Sequence, residues 1–378
     1  MIDNLNFNFQ ILLDAIGLVQ GVTLGILLMF MNKRKYKSTF FLGVFLFLYA
    51  LELATWISVN TKVSDSIPSF FLLPFNFSWL LFPLFYLYTQ QVSVLSNDKT
   101  KYWLLYPGIV SFLAQLIIFS FPLEAKQIIE DSTWHILIFN VLGDYCSWFI
   151  GIWNLKLLYR HRIEVQNSYS FIDTKELRWA RFFLIYLLAT SIFSHIMAYG
   201  FPTLIEDYSI FSLLDLIAIY WVSYFGVMQS NVRSVIAKNY VPDNSKEMKK
   251  DQNHTPELAL EKLENLMGKI DEHMTVSEIF INPELTIMDL AEGIKVHPKL
   301  VSASINTISK QNFNSYVNQL RIKKAEILLT DQSAGNFSIE GIGKEVGFHS
   351  KSAFYSAFKK VTGTTPKEYK EKLASNKL

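Results

Sequence analysis

Apolar and polar positions alternate in two regimes along the chain. Up to about Met228 the apolar residues come in long, nearly unbroken runs. Beyond it they recur every three or four residues. Seven runs stand out, at about Ile11–Met31, Thr39–Val59, Phe70–Thr89, Tyr102–Phe121, Trp134–Leu155, Phe182–Phe201 and Ile210–Met228. Each approaches the roughly 20 residues that a helix needs to cross a hydrocarbon layer about 30 Å thick. The third is interrupted by Pro68, Pro74 and Pro83, which membrane helices accept when neighbours satisfy the freed backbone groups. Acidic residues precede the first run and no small-residue cleavage site follows it, so it reads as a span and not as a signal peptide. A soluble protein with deeply buried helices would also show apolar runs. Seven of them separated by short polar connectors argue for membrane.

The second regime predicts short amphipathic helices. Tyr240–Thr255 is polar and reads as a tether. Pro256–Glu272 follows with an apolar stripe at Leu258, Leu260, Leu263, Leu266, Met267 and Ile270, suited either to docking on the next domain or to pairing with a second copy. Thr286 with Asp289 approximates a capping box for a helix burying Ile287, Leu290, Ala291 and Ile294. Pro298 fits the first turn of the helix after it. Asn314–Thr330 is a longer periodic stretch. Ser338 and Ser350 are placed to cap two further helices that meet at Gly347, where a left-handed residue ends the first. Ala353, Phe354, Ala357 and Phe358 form the inner side of the last of these, while Lys351, Ser352, Tyr355, Ser356, Lys359 and Lys360 form its outer side. Thr365 to Glu368 reads as the cap of a final helix.

The expected fold is therefore all-α. An N-terminal seven-helix transmembrane bundle occupies residues 1–232, a polar linker 233–255 and a connecting or pairing helix 256–274. A C-terminal domain at 275–378 carries two helix-turn-helix units, at 286–309 and 338–360.

Charge sharpens this division. Residues 285–378 carry 14 Lys and Arg against 8 Asp and Glu, although the whole chain has a formal net charge of only +2. That local excess suits a polyanionic partner. Connectors after the first, third and fifth runs hold 12 basic residues, Lys33, Arg34, Lys35, Lys37, Lys99, Lys101, Lys156, Arg160, Arg162, Lys175, Arg178 and Arg181. The other connectors hold only Lys62 and Lys126. By the positive-inside rule the N-terminus is outside and, after seven crossings, the C-terminus is cytoplasmic. Arg233 and Lys238 agree. The single cysteine, Cys146, excludes an intrachain disulfide.

Specific residues in the second regime also resemble a known family. Val346-Gly347-Phe348, Phe354, Phe358-Lys359-Lys360, Gly363, Thr365-Pro366 and Tyr369 fall in the spacing of the AraC/XylS-type transcriptional regulators. So do Leu285-Thr286, Leu290-Ala291, Ser302, Ile305-Asn306, and Arg321-Ile322 with Ala325 and Leu328-Leu329. The resemblance covers roughly residues 275–373. It implies two helix-turn-helix units joined by a long helix, and sequence-specific DNA binding. A rigid connector suits two heads that must lie about one DNA turn, roughly 34 Å, apart. Ala303 departs from the pattern, standing where a long polar residue is frequent.

On this reading the second helix of each unit enters the major groove. Candidates for base contact are His297, Lys299, Ser302 and, through apolar contact, Ala303 in the first unit. In the second they are Lys351, Ser352, Tyr355 and Ser356. Lys310, Lys323, Lys359, Lys360 and Lys367 are candidates for phosphate contact. Within the spans, Asp14, Glu52, Asp144, His195 and Asp215 suit either a ligand or ion site or hydrogen bonding between helices. The expected function is a membrane-bound, sequence-specific transcription regulator coupling a small-molecule or membrane signal to gene expression. It would sit in a bacterial inner membrane with its DNA-binding domain in the cytoplasm. Expected partners are double-stranded promoter DNA, the lipid bilayer, RNA polymerase, a second copy of the chain and a signal of unknown identity. The alternative is a membrane receptor or transporter whose cytoplasmic helical domain binds a protein. No catalytic, phosphate-loop, cofactor or metal motif is present in the sequence, so no enzyme activity and no cofactor are expected.

Overall fold

Leu28, Leu42, Phe45, Leu46, Phe85, Phe183 and Leu184, drawn from four separate apolar runs, meet in one buried core. The computed structural model describes residues 8–30, 37–95, 100–201, 209–228, 256–330 and 338–375. The tether and its flanking Arg233 and Lys238 lie outside these residues, as do Lys33, Arg34, Lys35 and Lys99 of the basic connectors. The chain divides into two units. One comprises residues up to His161 with Leu177–Ala237, and the other Arg162–Glu176 with Lys238–Leu378.

The first unit contains α1 (Phe9–Phe30), α2 (Lys37–Asn60), α3 (Ser78–Val92), α4 (Tyr106–Phe119), most of α5 (Leu142–Ser168), α6 (Arg178–Gly200) and α7 (Ser209–Met228). Among the described residues, six helices are long and apolar enough to cross a membrane. Their outward positions are apolar too, including Val19, Val110, Ile117, Phe149, Ile152 and Tyr224. A water-soluble bundle would place polar groups there. The protein is a multi-pass membrane protein with an all-α fold.

The third expected run takes a different form. Its first part is a short turn of 3-10 helix at Pro68–Phe70, followed by Leu72 with φ of +52°. Regular helix begins only at Ser78, leaving α3 with 15 residues, about 22 Å at 1.5 Å per residue. From Leu80 to Thr89 every residue of α3 is buried, so it lies within the protein and not on its lipid-facing surface. The fifth run extends in the other direction. A helical turn and a π-helical stretch at Ile136–Val141 lead into α5, making one helical segment, Thr133–Ser168. Lys156, Arg160 and Arg162 thus lie on a helix and not in a loop.

Close packing of α1 on α2 follows from three glycines one turn apart. A Cβ on Gly21 would stand 2.5 Å from the Ala50 Cβ, and one on Gly25 would stand 2.8 Å from the Phe47 nitrogen. Bare backbone lets the two helices approach as bulkier side chains would not.

The second unit holds α8 (Pro256–Ser277), α9 (Ile287–Gly293), α10 (Pro298–Ile308), α11 (Phe313–Thr330), α12 (Ile339–Glu345), α13 (Lys351–Thr362) and α14 (Pro366–Ser375). Met267, Ile270 and Met274 of α8 share a core with Leu290, Val301, Ile305, Phe313 and Val317. The later part of the α8 stripe, from Leu266 on, therefore docks on α9, α10 and the start of α11, while Leu260 is exposed and the Leu258 side chain lies outside the described residues. Ser304 reinforces the docking by donating to the Leu263 carbonyl at 2.7 Å. A second core joins Ile322, Ala325 and Leu329 of α11 to Ile342, Val346, Phe348, Phe354 and Phe358. One face of α11 thus serves both cores in turn.

Candidate DNA-binding surface

Two helix pairs, α9–α10 and α12–α13, carry the candidate contacts, and local chemistry sets each pair. Thr286 caps α9 by accepting from the Asp289 amide at 3.2 Å, and the Asp289 carboxylate accepts from the Thr286 amide at 2.8 Å. Ser338 caps α12 and Ser350 caps α13, accepting from the Gly341 and Ala353 amides at 3.0 and 3.2 Å. Each cap satisfies an amide that the first turn leaves open. The turns between helices use left-handed residues, Lys295 (φ +56°) in the first pair and Gly347 (φ +95°) in the second. Gly347 has no substitute on two counts. Its φ suits glycine alone, and a Cβ there would stand 2.4 Å from the Ile281 carbonyl oxygen.

On α13, Lys351, Ser352 and Ser356 are exposed and Tyr355 is half-buried, while Phe354, Ala357 and Phe358 are buried. The helix thus presents a hydroxyl- and lysine-bearing side away from its core. Lys351 pairs with Glu340 of α12. That pairing holds the Glu340 carboxyl below its ordinary range and raises the lysine. Ser352 lies 3.1 Å from the capping Ser350 hydroxyl. On α10, Lys299 is exposed and Ser302 and Ala303 are half-buried. His297 is the N-cap, its Nδ1 accepting from the Lys299 amide at 3.2 Å. This local task was not visible in the sequence. Ser302 accepts from Asn306 at 3.3 Å.

The five phosphate candidates are all exposed. Lys310 lies just past the end of α10, with φ of +52°. Lys360 approaches Ser315 at 3.4 Å and Lys367 approaches Glu371 at 3.9 Å.

Arg321 is the residue that sequence reasoning misplaced in importance. Matched only as part of the α11 pattern, it is 2% exposed. Its Nε donates to the Phe280 carbonyl at 2.7 Å and its Nη2 to the Asn282 carbonyl at 2.8 Å. Burial pushes its pKa down to about 10, with Glu284 opposing that shift, so it remains charged at neutral pH. An arginine in a helical repeat ordinarily reads as surface, and only the fold reveals the carbonyls that hold it.

Residues 290–372, from within α9 to within α14, match the family model described as a helix-turn-helix domain. The C-terminal part contains a helix-turn-helix domain. Over 87 residues the chain is 32% identical to the melibiose operon regulatory protein of Escherichia coli K12, covering 23% of this chain and 28% of that protein. Over 113 residues it is 28% identical to an uncharacterized HTH-type transcriptional regulator, YobQ, of Bacillus subtilis 168, covering 29% of this chain and 46% of the relative. The chain therefore spans less than half of the length of either relative. No solved structure matches it.

The candidates within the membrane unit form separate polar contacts between helices. Tyr49 donates to Asp215 at 2.6 Å, joining α2 to α7. Glu52 accepts from the Phe77 amide at 2.6 Å. Asp144 and His195 lie 2.7 Å apart, joining α5 to α6. Asp14 is 1% exposed and hydrogen-bonds Ser212, again across helices, while its second carboxylate oxygen has no hydrogen-bond partner. Asn76, Ser78, Gln115 and Asn140 add a further network through the start of α3. Sequence reading missed these because uncharged polar residues do not interrupt an apolar run. Among the described residues, no group of three or more His, Cys, Asp or Glu side chains is placed to hold a metal ion.

Proposed function

We propose that this protein is a membrane-bound, sequence-specific transcription regulator of the AraC/XylS type. The observation that carries the reading is a helix-turn-helix match over residues 290–372 in a chain with six apolar membrane-length helices. The capped α13 with its exposed Lys351, Ser352 and Ser356 supports it. The names of the relatives, a melibiose operon regulator and an HTH-type transcriptional regulator, point the same way.

In this reading both helix pairs are reading heads, and α10 and α13 enter successive major grooves of promoter DNA. His297, Lys299, Ser302, Ala303, Lys351, Ser352, Tyr355 and Ser356 face bases. Lys310, Lys323, Lys359, Lys360 and Lys367 meet phosphates. The buried α3 and the residues before it supply a seventh crossing, with the N-terminus outside and the DNA-binding domain in the cytoplasm of a bacterial cell. Residues 1–232 form the membrane domain, 233–255 the linker, 256–274 a helix docked on the domain at 275–378. A bound signal acts through the membrane domain to alter DNA binding, with a second copy of the chain and RNA polymerase as partners on the promoter.

The test is selection of genomic DNA fragments by the full-length protein in lipid nanodiscs, followed by titration across a salt series. Selective, salt-dependent binding supports the reading. Equal affinity for every duplex, or none at low salt, overturns it in favour of a protein-binding cytoplasmic domain.

A further inference from the structure

Residues 162–176 comprise the last turns of α5 and the connection to α6, yet they fold with the helix-turn-helix domain. The sequence there is RIEVQNSYSFIDTKE, and its centre, Tyr169-Ser170-Phe171, makes the decisive contacts. Tyr169 pairs with Thr286 as an antiparallel bridge. The Ser170 amide donates to the Leu285 carbonyl at 3.0 Å, and its carbonyl accepts from the Asn314 side chain at 2.6 Å. Its hydroxyl donates to the Pro283 carbonyl at 3.3 Å and accepts from Arg321 at 3.2 Å. Every polar atom of Ser170 is thus used, and the residue is 3% exposed. Alongside it, the Phe171 ring lies 4.2 Å from the His349 ring, measured between centroids. Glu284 bridges His349 at 2.8 Å and Lys175 at 3.3 Å. Lys175 is 4% exposed, with its ammonium 4.6 Å from the centre of the Tyr169 ring.

These contacts fall on three different parts of the domain. Pro283 to Thr286 lead into the first helix pair, Arg321 lies on α11 between the two cores, and His349 lies in the turn of the second pair. His349 immediately precedes Ser350, the cap of α13. Ordering a loop costs conformational entropy, and a buried, fully hydrogen-bonded serine flanked by an enclosed lysine repays that cost only at a specific seat. Lys351, Ser352 and Ser356 remain exposed with the segment in place. The seat therefore leaves the outer side of α13 open. Its position suits holding the two helix pairs in register, and does not suit covering them.

We propose that the domain carries a docking surface for residues 162–176 of its own chain, formed by Pro283–Thr286, Asn314, Arg321 and His349, and that occupancy of this surface sets DNA binding. The proposal rests on the function proposed above. Both ends of the segment are continuous with membrane helices, and those helices are joined to each other by Asp144 with His195 and by Trp148, which donates to Ser191 at 3.0 Å. A change in how α5 and α6 pack reaches the seat through the chain itself.

The experiment uses the full-length protein in nanodiscs. A photo-crosslinking phenylalanine analogue at position 171 should, on illumination, join the segment to the peptide containing His349. Phe171→Ala, and separately Lys175→Gln, should change affinity for the selected DNA at least threefold or alter the preferred spacing of its half-sites, with thermal unfolding of the protein retained. Two substitutions are used so that a folding defect in one leaves the other informative. Absence of the crosslink overturns the docking surface. A crosslink with unchanged affinity and spacing in both variants overturns its role in DNA binding. If the unsubstituted protein binds no DNA, the proposed function fails and this role with it, while the crosslink separately reports whether the surface exists.

Discussion

At the scale of single residues, the exposed side of α13 makes the sharpest predictions. Replacing Lys351 or Ser356 with alanine removes a donor without touching the core, so folding should survive. Affinity for the selected DNA should fall by about tenfold for a lost base contact, read by gel-shift titration beside a circular dichroism melt. If Lys351 meets DNA as proposed, the Glu340 carboxylate that pairs with it competes for its ammonium. Glu340→Gln should therefore strengthen DNA binding at low salt, and no change would separate Lys351 from the interface. Because Glu340 is depressed, the pair is complete above the ordinary glutamate range and is lost as the pH falls through the lowered value. Neutral pH leaves it intact. Gly347→Ala acts on stability instead. Left-handed strain of about 1–3 kcal/mol adds to a contact of 2.4 Å with the Ile281 carbonyl, and the melting temperature of the domain should drop. The caps and Gly347 were legible in the sequence because their chemistry is local. Arg321 was not, since its carbonyl partners come from distant backbone. The His297 cap is local, but histidine is not among the residue types that ordinarily mark an N-cap.

At the scale of helices, apolar run length located five of the membrane-length helices to within a few residues, stopped short of the Ser168 end of a sixth, and did not show how the third run folds. The run from Phe70 to Thr89 has the composition of a span, but Pro68, Pro74 and the left-handed Leu72 delay regular helix until Ser78. Composition reports transfer into lipid and is blind to a helix wrapped by its neighbours. The packing of α1 on α2 was equally hidden, because Gly17, Gly21 and Gly25 are unremarkable in an apolar run until the facing helix is known. Gly21→Ile should push these helices apart and lower the thermal stability of the detergent-solubilised protein, whereas Val19→Ile on the exposed side should not. Equal melting of the two variants would remove close packing as the reason for the glycines. The docking of α8 was half legible: its stripe was plain, and its choice of surface was not.

For the whole molecule, the number of crossings decides where the two ends lie. Seven crossings place the termini on opposite sides of the membrane, and six place them on the same side. Reporter fusions at each end should find the N-terminus outside and the C-terminus inside, the arrangement that gives the domain access to DNA. Two reporters on one side would remove α3 as a crossing. Salt adds a second measurement. If the five candidate lysines meet phosphates, replacing Lys360 should reduce the steepness of the salt dependence by about one unit while leaving sequence preference unchanged.

The sharing of α11 between two cores carries its own consequence. Phe313 and Leu329 stand near opposite ends of a single continuous rod, so neither half of the domain has a private scaffold on which to remain folded when the other melts. Injury to one helix pair is inherited by the other, and heating should remove both in the same step.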